Sequence, residues 1–564
     1  MIHKRWNLLP SLPQGHALTS AGLPPLIAQL LYNRGITDLS AIEPFFAADR
    51  RLSPDPFLLP DMEQAVGRIF RAVLGAEKIA IYGDFDADGI TATALLMHGL
   101  SALTPNVVPY IPHRLNEGHG LKIAALENLK REGVNLVISV DCGITGAVPV
   151  KRAKRLGMDV IITDHHTPSA EIPPALAVVN PKLAGSCYPF VDLAGVGVAY
   201  KLLQAVYRGI GRESALEEVI DLVALGTVAD LTPLLGENRY LVREGLHRMN
   251  TALRLGLKEL LIRAGVQPGA LGAENITWTI APRLNTASRL DHALPSYELL
   301  TTDSPQRAQE LAAWLEQKNG ERQQMTVQAA GKAREQAIAA GLTPLLMVGD
   351  VDYPAGISGL IASRLTDEFY RPTVVVREGK RICTGSCRSI PEFNIIEALG
   401  QCRELFLEFG GHAGAAGFVM LSHNLAHLRE KLIRIAEKEL TGVDLRPRID
   451  IDAQASLCDL NNAFNLMQKL APFGRGNPVP TLVSRNVRLL TCRTMGAAGD
   501  HLRMRLEQGG SAWDAVAFGC GENLPELKPP LDIVFQVELD QWGGRSSLRL
   551  NILDFASAKK DISQ

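Results

Sequence analysis

The sequence lacks the features of a membrane or secreted protein. No run of about 18 uncharged apolar residues occurs, so no membrane span is predicted. The first residues, MIHKRWNLLPSLPQG, contain no apolar core of a signal peptide. The eight cysteines show no CxxC spacing, which favours a reduced protein over a disulfide framework. We therefore expect a cytoplasmic protein that does not bind a membrane.

The chain also lacks an excess of charge of either sign. It has 58 Lys and Arg against 60 Asp and Glu, for a net charge of −2. Because a polyanion attracts basic surfaces, the overall charge gives no argument for a nucleic-acid partner, and such a site would have to be a local patch. With 46% hydrophobic and 21% charged residues, the 564 residues are typical of a globular protein with several domains.

From about residue 62, short apolar runs alternate with helical patterns. The runs KIAIYG, NVVPYIP, NLVISV and DVIIT each precede a helix-like stretch or a polar loop. This alternation predicts an α/β domain with a mostly parallel sheet over 62–304, after an N-terminal extension over 1–61.

Three further segments follow this domain. The pattern of residues 305–340 predicts one long helix that connects two lobes, although Gly320 and Gly331 weaken it locally. A second α/β domain is predicted over 341–446, with the runs LLMVGD and PTVVV. Over 447–564, alternating segments separated by Gly-containing turns predict a small β-barrel that resembles an oligonucleotide-binding (OB) fold.

Acidic and histidine residues follow three of the predicted strands at their carboxyl ends. In an open parallel sheet, ligands bind in the crevice outside these ends, so different strands would bring the side chains together. A further aspartate ends the helical pattern DLVALGTVAD. These residues are Asp84, Asp86 and Asp88 after the first run, Asp141 after the third, Asp164, His165 and His166 after the fourth, and Asp230 after the helix.

The residue types in this set indicate metal-dependent chemistry. Carboxylate and imidazole ligands without cysteine suit Mn²⁺ or Mg²⁺ better than a structural zinc site. Two such ions about 3.5–4 Å apart can activate a water and stabilise the attacking and leaving oxygens of a phosphoryl displacement. A DxDxD alone is often a solvated turn or a Ca²⁺ loop, and a DHH alone can be a helix cap. Their combination at strand ends favours a two-metal phosphodiesterase.

The ordered motifs resemble those of the DHH phosphoesterase family and, within it, the bacterial RecJ nucleases. GDFDADGITAT, VDCGITG, TDHH and GTVADLTPL look like its four metal-binding motifs in the same order. GSCRS and FGGHAGAAGF are similar to the signature of the associated DHHA1 domain, and FGRGNPVP to the start of the RecJ OB domain. The resemblance covers the chain from about residue 20 to residue 555.

The resemblance implies two divalent metal ions, with Mn²⁺ preferred or Mg²⁺ in its place. The site residues carry over by their position in the motifs, and Asp141 and His166 are the two expected to act in catalysis itself. Asp84 and Asp86 would hold one metal, and Asp88, His165 and Asp230 would hold the other. Asp141 would bridge the two metals, and His166 would face the scissile phosphate. His166 could instead only orient His165.

The resemblance also implies residues that bind the DNA strand. Arg114, Ser386 and Arg388 would bind near its 5′ end, where arginine can make a forked contact to phosphate. Gly411 would let the backbone approach a phosphate closely, and His412 would donate to it. Arg283 and Arg289 are further candidates, although an isolated arginine is more often a solvated or salt-bridged surface residue. In the β-rich region, Arg503, Arg505, Arg545 and Arg549 with Trp513 and Trp542 predict a stacking groove, unless the aromatic rings fill the barrel core.

Three departures from the RecJ pattern concern the shape of the DNA channel. Tyr353 and Pro354 replace a usual Trp-His pair, Cys387 stands where glycine is common, and residues 286–288 read Thr-Ala-Ser. None of them removes a metal ligand.

The resemblance implies a monomeric, single-stranded-DNA-specific 5′→3′ exonuclease of DNA repair and recombination, whose partners would be single-strand-binding protein and a RecQ-type helicase. Two alternatives stay open. The first is a phosphodiesterase for short oligonucleotides, cyclic dinucleotides or pyrophosphate, although such proteins lack the N-terminal and C-terminal segments. The second is a degenerate relative that binds DNA without cutting, although it would be expected to lose metal ligands.

Overall fold

The structure is a computed structural model that describes residues 4–542 and 545–558, without the side chains at 526, 541, 542, 545 and 546. Eighteen strands are assigned in these residues. In chain order they are β1 (Arg5–Leu8), β2 (Lys78–Tyr82), β3 (Val107–Tyr110), β4 (Val134–Val140), β5 (Asp159–Thr163), β6 (Ala177–Val179), β7 (Leu346–Asp350), β8 (Thr373–Arg377), β9 (Ile382–Arg388), β10 (Phe406–His412), β11 (Ala415–Leu421), β12 (Arg448–Ile451), β13 (Ala453–Gln454), β14 (Leu482–Met495), β15 (His501–Gln508), β16 (Ser511–Ala517), β17 (Leu531–Trp542) and β18 (Arg545–Ser557).

The described residues also form eighteen α-helices. They are α1 (Pro25–Asn33), α2 (Leu39–Ala47), α3 (Met62–Leu74), α4 (Ala87–Ser101), α5 (Ile123–Arg131), α6 (Ala147–Arg155), α7 (Gly195–Gly209), α8 (Ile220–Ala229), α9 (Gly236–Thr251), α10 (Leu255–Arg263), α11 (Ala273–Asn275), α12 (Ala281–Leu290), α13 (Leu294–Thr301), α14 (Pro305–Ala339), α15 (Ser358–Phe369), α16 (Ile395–Gly400), α17 (Leu425–Leu440) and α18 (Leu460–Gln468). A short π-helix, Ile276–Ile280, precedes α12.

The first lobe is built on a five-stranded parallel sheet in the order β3-β2-β4-β5-β6. The central strands are apolar because both faces of the sheet are covered. Helices α5 and α6 cover one face, while α4 and α7 cover the other. This burial on two sides fixes the carboxyl ends of β2, β4 and β5 at one edge.

The second lobe has a mixed five-stranded sheet in the order β10-β11-β9-β8-β7. Only β7 and β8 pair in parallel, and β8 to β11 form antiparallel pairs. Helix α14 begins at the Ser304 N-cap with Pro305 in its first turn and runs unbroken through Gly320 and Gly331. The predicted connecting helix is therefore present.

The C-terminal strands close into a five-stranded barrel. The order β14-β15-β16-β18-β17 is completed by pairing of β17 with β14. The barrel interior shares one apolar core with the N-terminal helices, because Leu30, Leu31 and Phe45 join the same buried cluster as Leu502 and Phe535. Parallel pairing of β1 with β12 adds a second link between these segments.

By its contacts the chain divides into two units, one of residues 1–53, 231–243 and 446–564 and the other of residues 54–230 and 244–445. The first unit contains the barrel and the N-terminal helices, and the second contains both lobes and α14. The predicted five-part division by residue number stays a prediction. In the described part of the chain, no helix is long and apolar enough to cross a membrane.

Candidate active site

The loop after β2 carries the first three aspartates. Asp86 is the N-cap of α4, where its Oδ1 accepts from the backbone N–H groups of Asp88 (3.0 Å) and Gly89 (3.2 Å). The carboxylate of Asp88 accepts from the N–H groups of Gly195 (2.7 Å) and Val196 (2.8 Å) at the start of α7. Two helix N-termini, which favour negative charge, therefore hold these side chains in place.

Asp141 follows β4 in the left-handed backbone region, with φ of 59°. Its N–H donates to the carbonyl of Thr163 at the end of β5 (3.0 Å), which continues the sheet pairing by one residue. Gly195 is required beside it, since a Cβ there would lie 2.5 Å from Oδ1 of Asp141. The Asp141 carboxylate is thus positioned by the edge of the sheet on one side and by the start of α7 on the other.

The DHH triplet after β5 is organised by its aspartate. Oδ1 of Asp164 accepts from the N–H groups of His165 and His166 and lies 2.8 Å from Nδ1 of His166, while Oδ2 accepts from the N–H of Ile144. Because Nδ1 of His166 is used in this way, its Nε2 is the ring nitrogen left for the crevice. The sequence placed Asp164 in the motif without giving it a role, and in the structure it orients the two histidines.

These elements bring all seven predicted metal-site and catalytic residues together, and we call them the acidic cluster. Nε2 of His165 lies 3.1 Å from Oδ1 of Asp141, 3.8 Å from Oδ2 of Asp230 and 4.0 Å from Oδ2 of Asp88. Three groups have possible ligand atoms within 4.8 Å of one another: Asp84, Asp86 and Asp141; Asp88, His165 and Asp230; and Asp141, His165 and His166.

The acidic cluster has buried atoms that suit a cation. Oδ1 of Asp84, Oδ1 of Asp141 and Nε2 of His165 are buried and have no hydrogen-bond partner among the described residues. The last two atoms lie 3.1 Å apart, but their contact lacks hydrogen-bond geometry. A buried lone pair without a partner is costly, and a metal ion satisfies it. Oxygen and imidazole donors in these groups fit Mn²⁺ or Mg²⁺. The residues present therefore fit a pair of divalent cations.

The electrostatics of the acidic cluster agree with this fit. Burial, and then the charges of Asp230 and Asp86, raise the pKa of Asp88 well above its usual range. Burial and the neighbouring Asp88 do the same to the pKa of Asp141. Burial and the adjacent His166 lower the pKa of His165 to about 3, so its ring is neutral, as a metal ligand must be.

His166 has the opposite environment. Burial opposes its charged form, but the hydrogen bond with Asp164 prevails and raises the pKa of His166. The same bond lowers the pKa of Asp164 to about 2 against the effect of burial. The carboxylate of Asp164 thus favours the protonated form of the His166 imidazole.

Two residues of this region were missed from the sequence. Nδ1 of His119 lies 3.0 Å from Oδ2 of Asp84. Oδ1 of Asn285, in the LNTASRL segment of α12, accepts from the N–H of Ala87 (2.8 Å). The signal for His119 was its place between two glycines, Gly118 and Gly120, on the loop that also carries Arg114.

Three of the predicted arginines lie close enough for their charges to interact beside the acidic cluster, and we call Arg114, Arg289 and Arg388 the arginine pocket. Burial, then the charges of Arg114, Arg322 and Arg388, lower the pKa of Arg289 to about 9. Among the described residues, none of the three forms an ion pair with a carboxylate. Arginines gathered at one place without an ion-paired carboxylate favour an anion such as phosphate.

The arginine pocket is held by one contact within the first lobe and by another between the two lobes. The Arg114 guanidinium lies over the Phe85 ring at 4.8 Å, beside the first aspartates. Arg289 donates to the carbonyl of Gly356 in the second lobe (3.1 Å), and a Cβ on Gly356 would lie 2.0 Å from the carbonyl oxygen of Arg289. Glycine at 356 is therefore needed for this close approach. Ser386 precedes Arg388 by two residues on β9 and is partly buried.

The structure gives Arg283 a different partner. Its Nε lies 2.5 Å from Oε2 of Glu316 and its second terminal nitrogen 3.1 Å from Oε1, so α12 is tied to α14 by a two-pronged ion pair. Such a pairing satisfies the guanidinium within the protein. Arg283 is therefore less available to bind a DNA strand than the arginines of the pocket.

The glycine-rich segment of the second lobe is a β-hairpin. Gly411 pairs with Ala416, and exposed His412 pairs with Ala415 at the tip. Gly411 has φ of 143°, and a Cβ there would lie 2.4 Å from the carbonyl oxygen of Ala415. The hairpin itself therefore needs glycine at 411, independently of any phosphate.

The barrel separates its basic and aromatic residues. Trp513 is buried and donates from Nε1 to the carbonyl of Leu457 (3.0 Å), so it belongs to the core and the predicted stacking role is wrong for this ring. Arg503 is exposed and directly faces Arg493 across β14 and β15. Arg505 pairs with Asp514, and Arg549 with Glu538 and Asp540. The side chains of Trp542 and Arg545 lie outside the described part of the chain.

Three family profiles match successive parts of the chain. The DHH family, N-terminal domain, matches residues 78–227, the DHHA1 domain matches residues 338–438, and the RecJ OB domain matches residues 451–554. The predicted fold class, with a DHH domain, a DHHA1 domain and an OB-like barrel, is confirmed.

Comparison with whole proteins extends the likeness along the chain. The chain is 39% identical to the single-stranded-DNA-specific exonuclease RecJ of Bacillus subtilis, over 95% of this chain and 68% of that protein. It is 33% identical to the exonuclease of the same name from Haemophilus influenzae, over 93% and 95% respectively. The crystal structure of Thermus thermophilus RecJ in complex with Mn²⁺ covers 98% of this chain, with a TM-score of 0.84, 29% identity and 80% of that chain matched. The chain belongs to the RecJ family of single-stranded-DNA-specific exonucleases.

Proposed function

We propose that this protein is a metal-dependent exonuclease that degrades single-stranded DNA in the 5′→3′ direction. The observation that carries the proposal is the acidic cluster, with three buried atoms that lack a hydrogen-bond partner in the described part of the chain, which belongs to the RecJ family. The two divalent ions would be Mn²⁺, the preferred ion, or Mg²⁺.

The metal assignment follows the groups of nearby ligand atoms. We assign Asp84 and Asp86 to one ion and Asp88, His165 and Asp230 to the other, with Asp141 bridging both. The proximity of Asp141 to members of both sets supports this bridging role. When bound, the ions would supply an activated water and neutralise charge on the phosphate.

The protein's own groups would then orient the scissile phosphate and manage protons. The hydrogen bond with Asp164 raises the pKa of His166 and so favours the form with a proton on Nε2, which could be donated to a phosphate oxygen. Asp164 keeps this ring in one orientation through Nδ1. Neutral His165 offers a lone pair to the metal, so the two adjacent histidines have different roles.

The direction of digestion would be set by the arginine pocket. We propose that Arg114, Arg289 and Arg388, with Ser386, bind the terminal 5′-phosphate, since the pocket lacks carboxylate partners among the described residues. The Gly411–His412 hairpin of the second lobe is proposed to contact the strand backbone. Its exposure at the hairpin tip supports this role.

The remaining features of the proposal concern the protein's setting. Membership of the RecJ family supports a role in DNA repair and recombination. Single-strand-binding protein and a RecQ-type helicase as partners, a monomeric state, a cytoplasmic location and the five-part domain boundaries stay predictions.

The test is a digestion of end-labelled substrates with Mn²⁺, Mg²⁺ or chelator. We expect release of mononucleotides from the 5′ end of a phosphorylated single strand, little cutting of blunt duplex DNA, and no product with chelator. RNA, a dinucleotide and pyrophosphate are included as competing substrates. Faster turnover of the dinucleotide or pyrophosphate than of the long strand would favour the small-substrate alternative, and no turnover of any substrate would favour a binding protein.

The role of the arginine pocket has its own comparison. Arg388→Lys keeps the charge but removes the forked contact, so we expect a loss of the preference for 5′-phosphate over 5′-hydroxyl ends. Lys258→Arg, an exposed change on α10, serves as the control. An unchanged preference in R388K would contradict the assignment.

A further inference from the structure

His119 lies on a short loop whose backbone is held from several sides. It stands between Gly118 and Gly120, with φ of 72° and 84°, which only glycine adopts readily. The hydroxyl of Tyr82 donates to the carbonyl of Gly120 (3.2 Å), and Glu117 accepts from the N–H of His113 (2.6 Å). The position of His119 is therefore set by the loop.

The imidazole of His119 contacts one carboxylate of the acidic cluster. Its Nδ1 lies 3.0 Å from Oδ2 of Asp84, whose side chain is only 5% exposed, while the His119 side chain is 47% exposed. The other oxygen of the same carboxylate, Oδ1, is buried and without a hydrogen-bond partner among the described residues. The contact thus uses one oxygen of Asp84 and leaves the other for a ligand.

The His119 ring is also fixed by its aromatic neighbours. It lies edge to face with the His166 ring, with centroids 5.5 Å apart at 71°, and edge to face with Phe85 at 6.4 Å. These contacts restrict rotation of the imidazole and keep Nδ1 directed at Asp84. The ring is thus held although nearly half of its surface is exposed.

We infer that His119 is a positioning residue for the metal centre, which donates to Oδ2 of Asp84 so that Oδ1 is presented to a divalent cation. This inference rests on the proposed metal assignment of Asp84. Hydrogen bonds to a ligating carboxylate orient it, and removal of such a partner typically weakens metal binding about 10–100-fold. His119 does not contact the reacting atoms, and its effect passes through Asp84.

Two substitutions separate the donor from the ring. His119→Asn keeps an N–H donor at nearly the place of Nδ1 but removes the ring. His119→Phe keeps the ring and its contacts with His166 and Phe85 but removes the donor. His98→Phe, at a half-exposed histidine of α4 that pairs with Glu218, is the matched control.

Binding is measured on the full-length, metal-stripped protein by titration with Mn²⁺ alone, followed by the electron paramagnetic resonance signal of free Mn²⁺. We expect H119F to bind Mn²⁺ about 10-fold more weakly or worse, H119N to bind nearly as the wild type, and H98F to be unchanged. In digestion assays, saturating Mn²⁺ should restore kcat of H119F, since only the orientation of one ligand is lost.

Wild-type affinity in H119F would overturn the inference, as would an H119N variant that binds as weakly as H119F. Circular dichroism and thermal unfolding of each variant identify any general loss of fold, and H119N then provides the comparison. Asp84→Ala tests the underlying assignment separately. Full Mn²⁺ affinity in D84A would contradict the proposed metal site itself, whereas weak binding in D84A with normal binding in H119F would contradict only the role of His119.

Discussion

At the scale of single residues, Asp141 shows how backbone geometry and chemistry are combined. A non-glycine residue in the left-handed region costs roughly 1–2 kcal/mol, although aspartate tolerates it better than most. The strained backbone occurs at the position where the carboxylate contacts His165 and the start of α7. Glycine would relieve the backbone but would remove the side chain on which the proposed metal bridge depends.

Asp141→Asn therefore has opposite expected effects on stability and activity. The variant keeps the size of the side chain but removes one of several buried like charges, so the metal-free protein should unfold at a higher temperature than the wild type. With Mn²⁺ the order should reverse, because the wild type gains more from ligand binding. The rate of strand digestion should fall by at least about 100-fold.

Thermal unfolding in chelator and in Mn²⁺ measures the first effect, and labelled mononucleotide release measures the second. Cys187→Ser, at an exposed cysteine, is the control. An Asn variant that digests DNA at the wild-type rate would rule out the bridging role.

A second residue-scale prediction concerns pH and the contact of His113 with His292. The two rings lie edge to face at 5.7 Å, and Nδ1 of His292 accepts from the N–H of Leu294, the first residue of α13 (3.1 Å). Burial, and then His113, lower the pKa of His292 below its usual 6.5, against the opposing charges of Glu117 and Asp291.

Because the folded-state pKa of His292 is lowered, the unfolded chain binds more protons as the pH falls below 6.5. The contribution of His292 to stability is thus present above that pH and is lost as the pH falls through the folded-state pKa. His292→Asn keeps an acceptor for Leu294 but does not titrate, so its stability should fall less between pH 7.5 and 5.5, about one unit on either side of the usual histidine pKa. Urea unfolding at several pH values measures the pH dependence of stability, and His98→Asn is the control. Equal pH dependence of stability in H292N and the wild type would contradict the prediction.

At the scale of secondary-structure elements, the sequence predicted the parts that its local pattern determines. The strands β2, β4 and β5 are mainly apolar runs that are followed by acidic residues, so both the sheet and the place of the acidic cluster could be predicted. Helix α14 was predicted from its length and amphipathic pattern.

Elements that depend on tertiary partners were not predicted. Strand β6 has only three residues and exists through its pairing with β5. The π-helix before α12 lies next to Pro282, which lacks an N–H, and no sequence pattern distinguishes it from an α-helix. The bond of His119 to Asp84 joins the loops of two strands, so it too required the fold.

The two glycines of α14 give a prediction at this scale. Neither Gly320 nor Gly331 has an atom within 4 Å of a built Cβ, and neither has a positive φ. Alanine should therefore fit at both, and each change should raise the free energy of unfolding by about 0.5–1 kcal/mol through helix propensity.

Urea unfolding of Gly320→Ala, Gly331→Ala and the double variant measures the gain, which should be additive because the sites are about three turns apart. Digestion rates should not change. Gly356→Ala should have the opposite effect. A Cβ at this position would lie 2.0 Å from the backbone of Arg289, so the substitution should lower both stability and activity. Destabilisation by G320A or G331A would mean that α14 is not the regular helix described above.

At the scale of the whole molecule, the barrel cannot be removed without damage to another segment. Its core includes Ile27, Leu31 and Phe45 from the N-terminal helices. Buried Arg239 donates to the carbonyls of Phe45 and Leu470 and ties both segments to α9. Deletion of the residues after about 447 would expose this core, so point substitutions are the better test of DNA binding by the barrel.

Arg493 and Arg503 are suited to that test. They face each other on an exposed surface, and like charges in this position destabilise a sheet unless an anion lies between them. Charge reversal by Arg493→Glu or Arg503→Glu should weaken binding of a long single strand and reduce the slope of log affinity against log salt by about 1 for each lost phosphate contact. Hydrolysis of a short oligonucleotide should be unaffected.

Fluorescence anisotropy across a range of salt concentrations measures binding to labelled strands. Arg488→Glu is the control. Arg488 already pairs with Glu507, so reversal of its charge should affect binding of the strand less. Unchanged affinity and salt slope in both R493E and R503E would show that this face of the barrel does not bind the strand.

The pairing of β1 with β12 has a consequence for synthesis on the ribosome. Asn7 bonds to Asp450, 443 residues later in the chain, so the partner strand of β1 is made long after β1 itself. At roughly 5–20 residues per second, the early helices wait on the order of 20–90 s with their apolar faces uncovered. During translation this segment is exposed to chaperones and proteases, and a nonsense mutation ahead of the codons for β12 would leave those faces uncovered permanently, which marks the shortened product for degradation.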